Sequence, residues 1–195
     1  MLEEWQTNPD SLRILKLSNR QKQTIFGTLL GSSSIIHPNK SKNPHLLMRC
    51  NKSENVNWLR CKAEELKILS RPKSFIEDET GFRWNSFSNC IFVDFKNLFY
   101  KNGIKKIEME VLDGLGDLGL CTWFLDRGVH VGNICGFKTI GYDVKSIENI
   151  IKYFNIINLP IFKNKKGYLL FKNEMTSEKF LKIINHCIPL ALRSS

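Results

Sequence analysis

The chain has 195 residues, of which 42% are hydrophobic and 25% charged, and its formal net charge is +10. This length suffices for one large domain or for two small halves that share a core. No apolar run approaches the roughly 20 residues that a membrane-spanning helix needs. The acidic start, MLEEWQTNPD, also differs from a secretory signal. We therefore expect an intracellular protein without a membrane partner.

The six cysteines and four histidines do not form a metal-binding pattern. Structural zinc sites use closely spaced ligand pairs, and neither a CxxC nor an HxxxH spacing occurs here. We expect reduced, mostly buried thiols in a reducing compartment. The residues in question are Cys50, Cys61, Cys90, Cys121, Cys135 and Cys187, with His37, His45, His130 and His186.

Positive charge is the most informative feature of the composition. Lys and Arg number 29 against 19 Asp and Glu, and the excess lies on both halves of the chain rather than in one tail. A basic excess of this size suits a polyanionic partner, because each neutralised phosphate releases condensed counterions. The composition therefore favours nucleic acid as the partner.

The first half of the chain predicts a run of seven elements. Ser18 is placed to cap a helix that begins at Asn19, and Gln21 stands where a capping box expects it. Gly103 is a natural C-cap for the last helix. The predicted elements are a helix at 19–31, strands at 34–36 and 45–50, a helix at 56–69, strands at 74–76 and 82–87, and a helix at 93–103.

The second half predicts the same run again. Asp117 is a candidate cap for its first helix, and Gly128 follows that helix. The predicted elements are a helix at 118–126, strands at 129–134 and 136–141, a helix at 144–156, strands at 159–162 and 168–171, and a helix at 177–188. The fold class is therefore α+β, with two pseudo-symmetric αββαββα repeats. The predicted domains are an N-terminal extension at 1–17, a first repeat at 18–110 and a second repeat at 111–195.

Small residues mark the first helix of each repeat. Gly27 and Gly31 lie four residues apart, on one face of the first helix, and Gly119 and Thr122 share a face of the second. A glycine inside a helix costs about 1 kcal/mol relative to alanine. Close approach of two helix backbones is the usual compensation, so these four residues are the candidate helix interface.

The whole chain, from about residue 18 to 192, resembles a two-repeat LAGLIDADG homing endonuclease. The nine motif positions fall on 25–33 and 120–128, and the runs LSNRQKQTIFGTLLG, FYKNGIKKI and TWFLDRG are similar to the family's motif contexts. The resemblance implies that the motif helices pack side by side on a pseudo-twofold axis. It also implies that two four-stranded antiparallel sheets form a basic saddle for nucleic acid. An acidic residue at the end of each motif helix would hold the divalent metal for phosphodiester hydrolysis.

The two catalytic acids that the resemblance implies are absent. The motif positions that should carry them hold Ser32 and Arg127. Mg²⁺ prefers anionic oxygen ligands, so a serine hydroxyl is a poor substitute and an arginine opposes the metal. We predict no catalytic residue, no metal site and no cofactor. Arg127 is instead a candidate for facing a backbone phosphate.

Asp126 is the remaining candidate metal ligand, because it precedes Arg127 directly. One residue corresponds to about 100° around a helix, so its carboxylate should point away from the motif position. A structural role at the helix end, or a pair with Arg127, is the alternative. If Asp126 did hold Mg²⁺, the protein would be an active endonuclease.

Polar and basic residues on the predicted strand pairs are the candidate nucleic-acid contacts. Such contacts would go mostly to phosphates, which position a ligand but read no sequence. Trp84 either stacks on a base or fills the core, and the core is favoured. The candidates are His37, Lys40, Lys42, Arg49, Lys73, Arg83, Asn85, Asn133, Lys138, Thr139, Lys163, Lys165 and Lys166.

Three hypotheses about function remain open. The first is a LAGLIDADG-like protein that binds RNA or DNA without cleaving it, as a maturase-like factor, a ribonucleoprotein component such as a ribosomal one, or a DNA-binding remnant. The second is an active, Mg²⁺-dependent homing endonuclease or nickase, and the third is a protein-interaction module. We expect a monomer with an internal pseudo-dimer. Abundant Asn, Lys, Ile and Phe suggest an AT-rich genome, as in organelles or phages.

Overall fold

The computed structural model describes residues 15–38, 43–51 and 56–193. The chain divides into two compact units. The first holds the residues up to 22 and those from 33 to 98, and the second holds residues 23–32 and 99–195. The predicted N-terminal extension lies mostly outside the described residues, and the repeat boundaries at 18–110 and 111–195 stay a prediction.

The first unit is an antiparallel four-stranded sheet with helices on one face. Its strands lie in the order β1-β2-β4-β3. Met48 pairs with Trp84 across the sheet, and both are almost fully buried on the helix side. In chain order the elements here are α1 (Asn19–Leu30), β1 (Ser34–Ile36), β2 (His45–Asn51), α2 (Val56–Glu65), β3 (Phe75–Asp78), β4 (Gly81–Asn85) and α3 (Ile91–Phe99). Only the first residues of α1 belong to this unit, because residues 23–32 belong to the second one.

The second unit repeats this architecture and adds a short hairpin and a short helix before it. Its strands lie in the order β7-β8-β10-β9, which matches the first sheet position by position. The elements are β5 (Tyr100–Lys101), β6 (Ile104–Lys105), α4 (Met109–Asp113), α5 (Asp117–Arg127), β7 (Gly128–Val131), β8 (Ile134–Lys138), α6 (Val144–Ile156), β9 (Ile161–Lys163), β10 (Tyr168–Phe171) and α7 (Glu174–Asn185). The predicted α+β class with two αββαββα repeats is confirmed.

An aromatic cluster forms the core of the second unit. The Trp123 ring of α5 stacks on Phe137 of β8 with centroids 4.3 Å apart. Phe154 of α6, Phe171 of β10 and Phe180 of α7 complete the cluster, and all five side chains are fully buried. Because these rings come from five elements, burying them fixes the helices on one face of the sheet and leaves the other face open.

Helix starts follow the capping chemistry of the sequence in most places. The capping box is present at α1, where the Gln21 amide nitrogen donates to Ser18 Oγ and the Ser18 amide donates to Gln21 Oε1. Asp143 caps α6, because it accepts from the Ser146 amide at 2.9 Å, and it also pairs with Lys106. These contacts hold the pKa of the Asp143 carboxyl far below its usual range, with the Lys106 hydrogen bond the largest cause.

Several predicted boundaries are wrong. The helix predicted at 56–69 ends at Glu65, and a short 3-10 helix follows at Lys67–Leu69. Asp117 is the first residue of α5, and Gly116 holds the N-cap position. Gly103 does not end a helix: α3 stops at Phe99, and Gly103, with φ of 78°, forms the turn of the β5–β6 hairpin. The β7–β8 turn falls at 132–133 rather than at 135, and α7 begins at Glu174. Strand pairing accounts for the β5–β6 and β7–β8 boundaries. The start of α7 has a local cause, because the Asn173 side chain caps this helix by accepting from the Thr176 amide at 2.9 Å.

No helix within the described ranges is long and apolar enough to cross a membrane.

Candidate functional site

The two motif helices approach so closely that there is no room for a side chain at Gly27. A Cβ atom built on Gly27 of α1 would lie 2.3 Å from the Gly119 carbonyl oxygen and 2.6 Å from Thr122 Cβ of α5. Real Cβ atoms do not reach such distances, so both backbones depend on glycine here. The buried Thr122 hydroxyl finds no hydrogen-bond partner among the described residues. The structure thus places Gly27, Gly119 and Thr122 together in the helix interface.

Asp126 occupies the same interface one turn further along. A Cβ on Gly31 would overlap the Asp126 carboxylate, with Oδ2 only 2.2 Å away. Thr28 of α1 donates its hydroxyl to Asp126 Oδ2 at 3.2 Å. The Asp126 carboxylate therefore accepts a hydrogen bond between the two helices. These contacts agree with a structural role for Asp126 at the helix end.

Three side chains satisfy the last carbonyl groups of α1. Lys105 Nζ donates to the Leu29 carbonyl oxygen at 2.8 Å, the Tyr142 hydroxyl donates to that of Leu30, and Arg127 Nε donates to that of Gly31 at 3.0 Å. The final carbonyl groups of a helix have no partner within it, and its C-terminus carries partial negative charge. We call Lys105, Arg127 and Tyr142 the α1 cap.

Arg127 is held by more than the end of α1. Its Nη1 donates to the Ile140 carbonyl oxygen at 2.5 Å, and its guanidinium carbon lies 5.3 Å from the centre of the Tyr142 ring. Trp123 Nε1 in turn donates to the Tyr142 hydroxyl at 3.0 Å. Two of the guanidinium nitrogens thus donate to carbonyl groups of the protein, and contact of Arg127 with a backbone phosphate stays a prediction.

Burial dominates the electrostatics of the α1 cap. It lowers the pKa of Lys105 to about 8, Arg127 acts in the same direction, and the nearby Asp126 carboxylate opposes both. Burial also raises the pKa of the Tyr142 hydroxyl well above its usual range. Tyr142 therefore stays a neutral donor throughout the neutral pH range, and Lys105 loses its charge under mildly alkaline conditions.

The residues at the motif ends do not fit a hard divalent cation. Ser32 lies exposed in the turn that follows α1, and it supplies only a neutral hydroxyl. The single nearby carboxylate, Asp126, accepts from Thr28, and two cationic side chains stand beside it. Across residues 15–38, 43–51 and 56–193, His, Cys, Asp and Glu form no group of three that is suited to a metal.

The open face of the first sheet carries three of the predicted contact residues. Arg49 pairs with Arg83 across β2 and β4, and Asn85 pairs with Leu47, so all three predicted side chains share the face opposite the buried Trp84. Arg83 Nε lies 3.8 Å from Asp78 Oδ2. This face therefore combines two guanidinium groups with an amide and one carboxylate.

Other candidates of the first unit lie away from that face. His37 Nδ1 lies 2.9 Å from Lys96 Nζ of α3, on the helix side. Lys73, with φ of 62°, lines a pocket of about 460 Å³ together with Arg60 and Arg71. Trp84 is 1% exposed and belongs to the core. Lys40 and Lys42 lie outside the described residues.

The second sheet gathers its predicted lysines at one end. Lys138 at the end of β8 pairs with Tyr168 at the start of β10, beside the β9–β10 turn that carries Lys165 and Lys166. Thr139 donates its hydroxyl to the Gly167 carbonyl oxygen and so ties the two loops together. Lys163 ends β9 at the same edge. Asn133, in the β7–β8 turn, lies at the opposite end of this sheet.

Sequence reasoning missed Lys105 and Tyr142. Each lies in a segment without a recognisable motif and reaches α1 from far along the chain, 76 and 112 residues away. The only usable signal was the loss of both motif acids. Without a metal to bind, the helix ends need no open pocket, and other side chains can fill that space.

Comparisons with known proteins agree with this geometry. The family model of the LAGLIDADG DNA endonuclease family matches residues 22–182. The chain belongs to this family. A search of curated proteins gave no match.

Three solved structures illustrate the shared fold. The homing endonuclease I-WcaI bound to its DNA recognition sequence matches with a TM-score of 0.80 and 20% identity, over 93% of this chain and 87% of that one. I-DmoI in complex with DNA and Ca matches with a TM-score of 0.55 and 12% identity, over 90% and 95%. The N-terminal LAGLIDADG domain of DUF199/WhiA matches with a TM-score of 0.53 and 11% identity, over 95% and 90%.

Replacing Gly27 by alanine should destabilise the protein. The new Cβ would overlap the backbone of α5, and overpacking of this kind costs about 1–3 kcal/mol, which outweighs the gain in helix propensity. Gly116→Ala is the control, because its Cβ would meet Gln23 Oε1 at an ordinary 3.5 Å. Urea unfolding measures both variants. Equal stability of Gly27→Ala and the wild type would contradict the close helix contact.

Replacing Lys105 by methionine should change how stability depends on pH. The pKa of Lys105 is about 8 in the folded protein and about 10.4 in an unfolded chain. Between these values the unfolded chain binds more protons, so the wild-type free energy of unfolding should rise relative to that of Lys105→Met. The relative gain should be on the order of 2 kcal/mol from pH 8 to pH 10.

Urea titrations at four pH values between 7 and 10 measure this gain. Lys101→Met, which removes an exposed lysine of the same hairpin, controls for the loss of one positive charge. Wild-type and Lys105→Met curves that stay parallel over this range would show that Lys105 is not buried as described.

Proposed function

We propose that this protein binds nucleic acid and does not cleave it. The observation that carries the proposal is the α1 cap: the motif position that should hold a catalytic acid holds Arg127, whose guanidinium donates to the end of α1. The other motif acid position holds Ser32. Membership of an endonuclease family, together with a net charge of +10, supports nucleic acid as the partner.

Electrostatics opposes metal-assisted cleavage at the helix ends. Two unit charges about 4 Å apart interact by roughly 4 kcal/mol at an effective dielectric constant near 20. Exchanging a carboxylate for a guanidinium converts an attraction of that order into a repulsion. Lys105 adds a second positive charge near neutral pH. The proposed binding therefore requires no Mg²⁺.

Related structures make duplex binding a reasonable property of the fold. I-WcaI is described bound to its DNA recognition sequence, and I-DmoI in complex with DNA and Ca. For this chain we propose binding of RNA or DNA, as a maturase-like factor, a component of a ribonucleoprotein such as the ribosome, or a DNA-binding remnant. We further propose a monomeric state. The six cysteines are thiols rather than disulfides, which suits a reducing compartment such as an organelle matrix or a bacterial or phage-infected cytoplasm.

Binding should be independent of divalent metal, and cleavage should be absent. The affinity for a labelled duplex, measured by fluorescence anisotropy, should be the same in EDTA and in Mg²⁺, because no ligand set for the ion exists at the motif ends. Supercoiled plasmid should stay intact in Mg²⁺ and in Mn²⁺. Strand cutting that Asp126→Asn abolishes would establish the endonuclease alternative instead.

Removing charge from the lysine end of the second sheet should weaken binding and flatten its salt dependence. The triple variant Lys163→Gln/Lys165→Gln/Lys166→Gln should reduce the slope of log affinity against log salt by up to about 0.9 per lost phosphate contact. The matched control is Lys152→Gln/Lys179→Gln/Lys182→Gln, which removes equal charge from exposed positions on α6 and α7. If both triple variants lose the same slope, the end of the second sheet has no special role.

A further inference from the structure

The open face of the second sheet is apolar and partly aromatic. Phe162 of the edge strand β9 pairs with Leu170, and Tyr168 lies two residues before Leu170 on the same face. Phe162 is 44% exposed, and Val131 on the opposite edge strand is 45% exposed. Diagonal neighbours on one face of a sheet lie within about 8 Å, in reach of aromatic side chains. Both rings therefore lie on one face of the sheet, which we call the aromatic face.

Three lysines, Lys138, Lys165 and Lys166, border this face, and carboxylates are absent from its elements. Residues 128–142 and 159–173, which supply the four strands and their loops, contain neither Asp nor Glu. Lys138 lies directly across from Tyr168, and the turn with its lysines follows Phe162. Cationic groups thus stand at the end of the sheet where the exposed rings are.

The corresponding hairpin of the first repeat has the opposite charge. The β3–β4 hairpin, which occupies the same position in its sheet as β9–β10, carries Glu77, Asp78 and Glu79. Asp78 accepts from the backbone and hydroxyl of Thr80, which lowers the pKa of its carboxyl and keeps it charged. A symmetric phosphate-binding surface is therefore absent from these two hairpins, and the second one is specialised for an anion.

We propose, building on the nucleic-acid binding proposed above, that the aromatic face binds a single-stranded segment. Its unpaired bases stack on Phe162 and Tyr168, and its phosphates lie beside Lys138 and the turn lysines Lys165 and Lys166. Stacking on an aromatic side chain requires an exposed base face. A duplex offers only base edges in its grooves, so this surface discriminates in favour of unpaired nucleotides.

The charge pattern favours nucleic acid over a protein on this face. Cores of protein–protein interfaces are depleted in lysine and enriched in complementary apolar contacts. Here three lysines border two rings without a neighbouring carboxylate in the same elements. A phosphate backbone neutralises that charge at regular spacing, and the bases supply the apolar planes.

Binding of matched oligonucleotides tests this proposal. The probes are a short single-stranded RNA and a single-stranded DNA of mixed sequence, each with one 2-aminopurine, and a hairpin duplex of the same sequence. Phe162→Leu keeps an apolar side chain and removes the ring. It should weaken single-strand binding roughly tenfold, as expected for one stacked base, and leave duplex binding within about twofold. It should also restore the 2-aminopurine fluorescence that stacking quenches.

Two further variants complete the design. Tyr168→Leu should also weaken single-strand binding and leave duplex binding nearly unchanged. Ile156→Ala, at an apolar position of α6 that is 60% exposed, should leave both affinities unchanged. Circular dichroism and urea unfolding confirm that each variant is folded.

The outcomes separate this inference from the proposed function. If single strand and duplex bind equally and Phe162→Leu changes neither, the inference is wrong while nucleic-acid binding stands. Equal loss of single-strand and duplex affinity would instead indicate apolar contact with duplex bases and would overturn stacking. Failure of every probe to bind wild-type protein would refute the proposed function itself. Release of a bound protein by Phe162→Leu, with oligonucleotide binding unchanged, would assign the face to a protein partner.

Discussion

The contact between α1 and α5 is the constraint on which the second unit depends. Because Gly27 has no side chain, the Gly119 carbonyl oxygen and Thr122 of α5 occupy the space that a Cβ at this position of α1 would need. Gln23 fastens the start of this contact, because its amide donates to the Gly114 carbonyl and accepts from the Gly116 amide. With the two helices fixed in this way, the ends of both motifs must lie close together. Whatever groups occupy those ends therefore interact strongly.

At the motif ends, the protein supplies its own positive charge. Lys105 and Arg127 donate to the carbonyl groups at the end of α1. The partial negative charge of the helix C-terminus also stabilises both cations. The Arg127 guanidinium is stabilised in this position by hydrogen bonds to two carbonyl oxygens and by contact with the Tyr142 ring. The same arrangement that stabilises the helix pair removes the anionic environment that a hard cation requires. Scaffold and chemistry are thus separable in this fold.

The two repeats share a topology and differ in their surfaces. Both sheets have the same strand order, yet one hairpin carries three acids and its counterpart three lysines. The open face of the first sheet presents Arg49, Arg83 and Asn85, whereas that of the second presents Phe162 and Tyr168. Inward-facing residues decide whether the sheet forms. Outward-facing residues are under no such constraint, so the two repeats carry different side chains on sheets of the same topology.

The sequence determined the repeat order, the fold class and the cap of α1, because these follow from local periodicity and hydrogen bonding. The Ser18–Gln21 capping box and the small residues of both motif helices were readable directly. The missing acids were also visible, since they follow from motif position alone. Thr139 and the lysines of the second sheet were identified singly, but not as one group.

Tertiary structure decided what the substituted residues do. Arg127 turned toward the end of α1 because Gly31 and Ile140 present carbonyl oxygens there, and Lys105 and Tyr142 joined it from distant segments. Strand register decided that Phe162 and Tyr168 share an open face, since a shift of one residue would have buried them. Such contacts depend on which backbone groups folding brings next to a distant side chain. No short segment of the sequence contains that information.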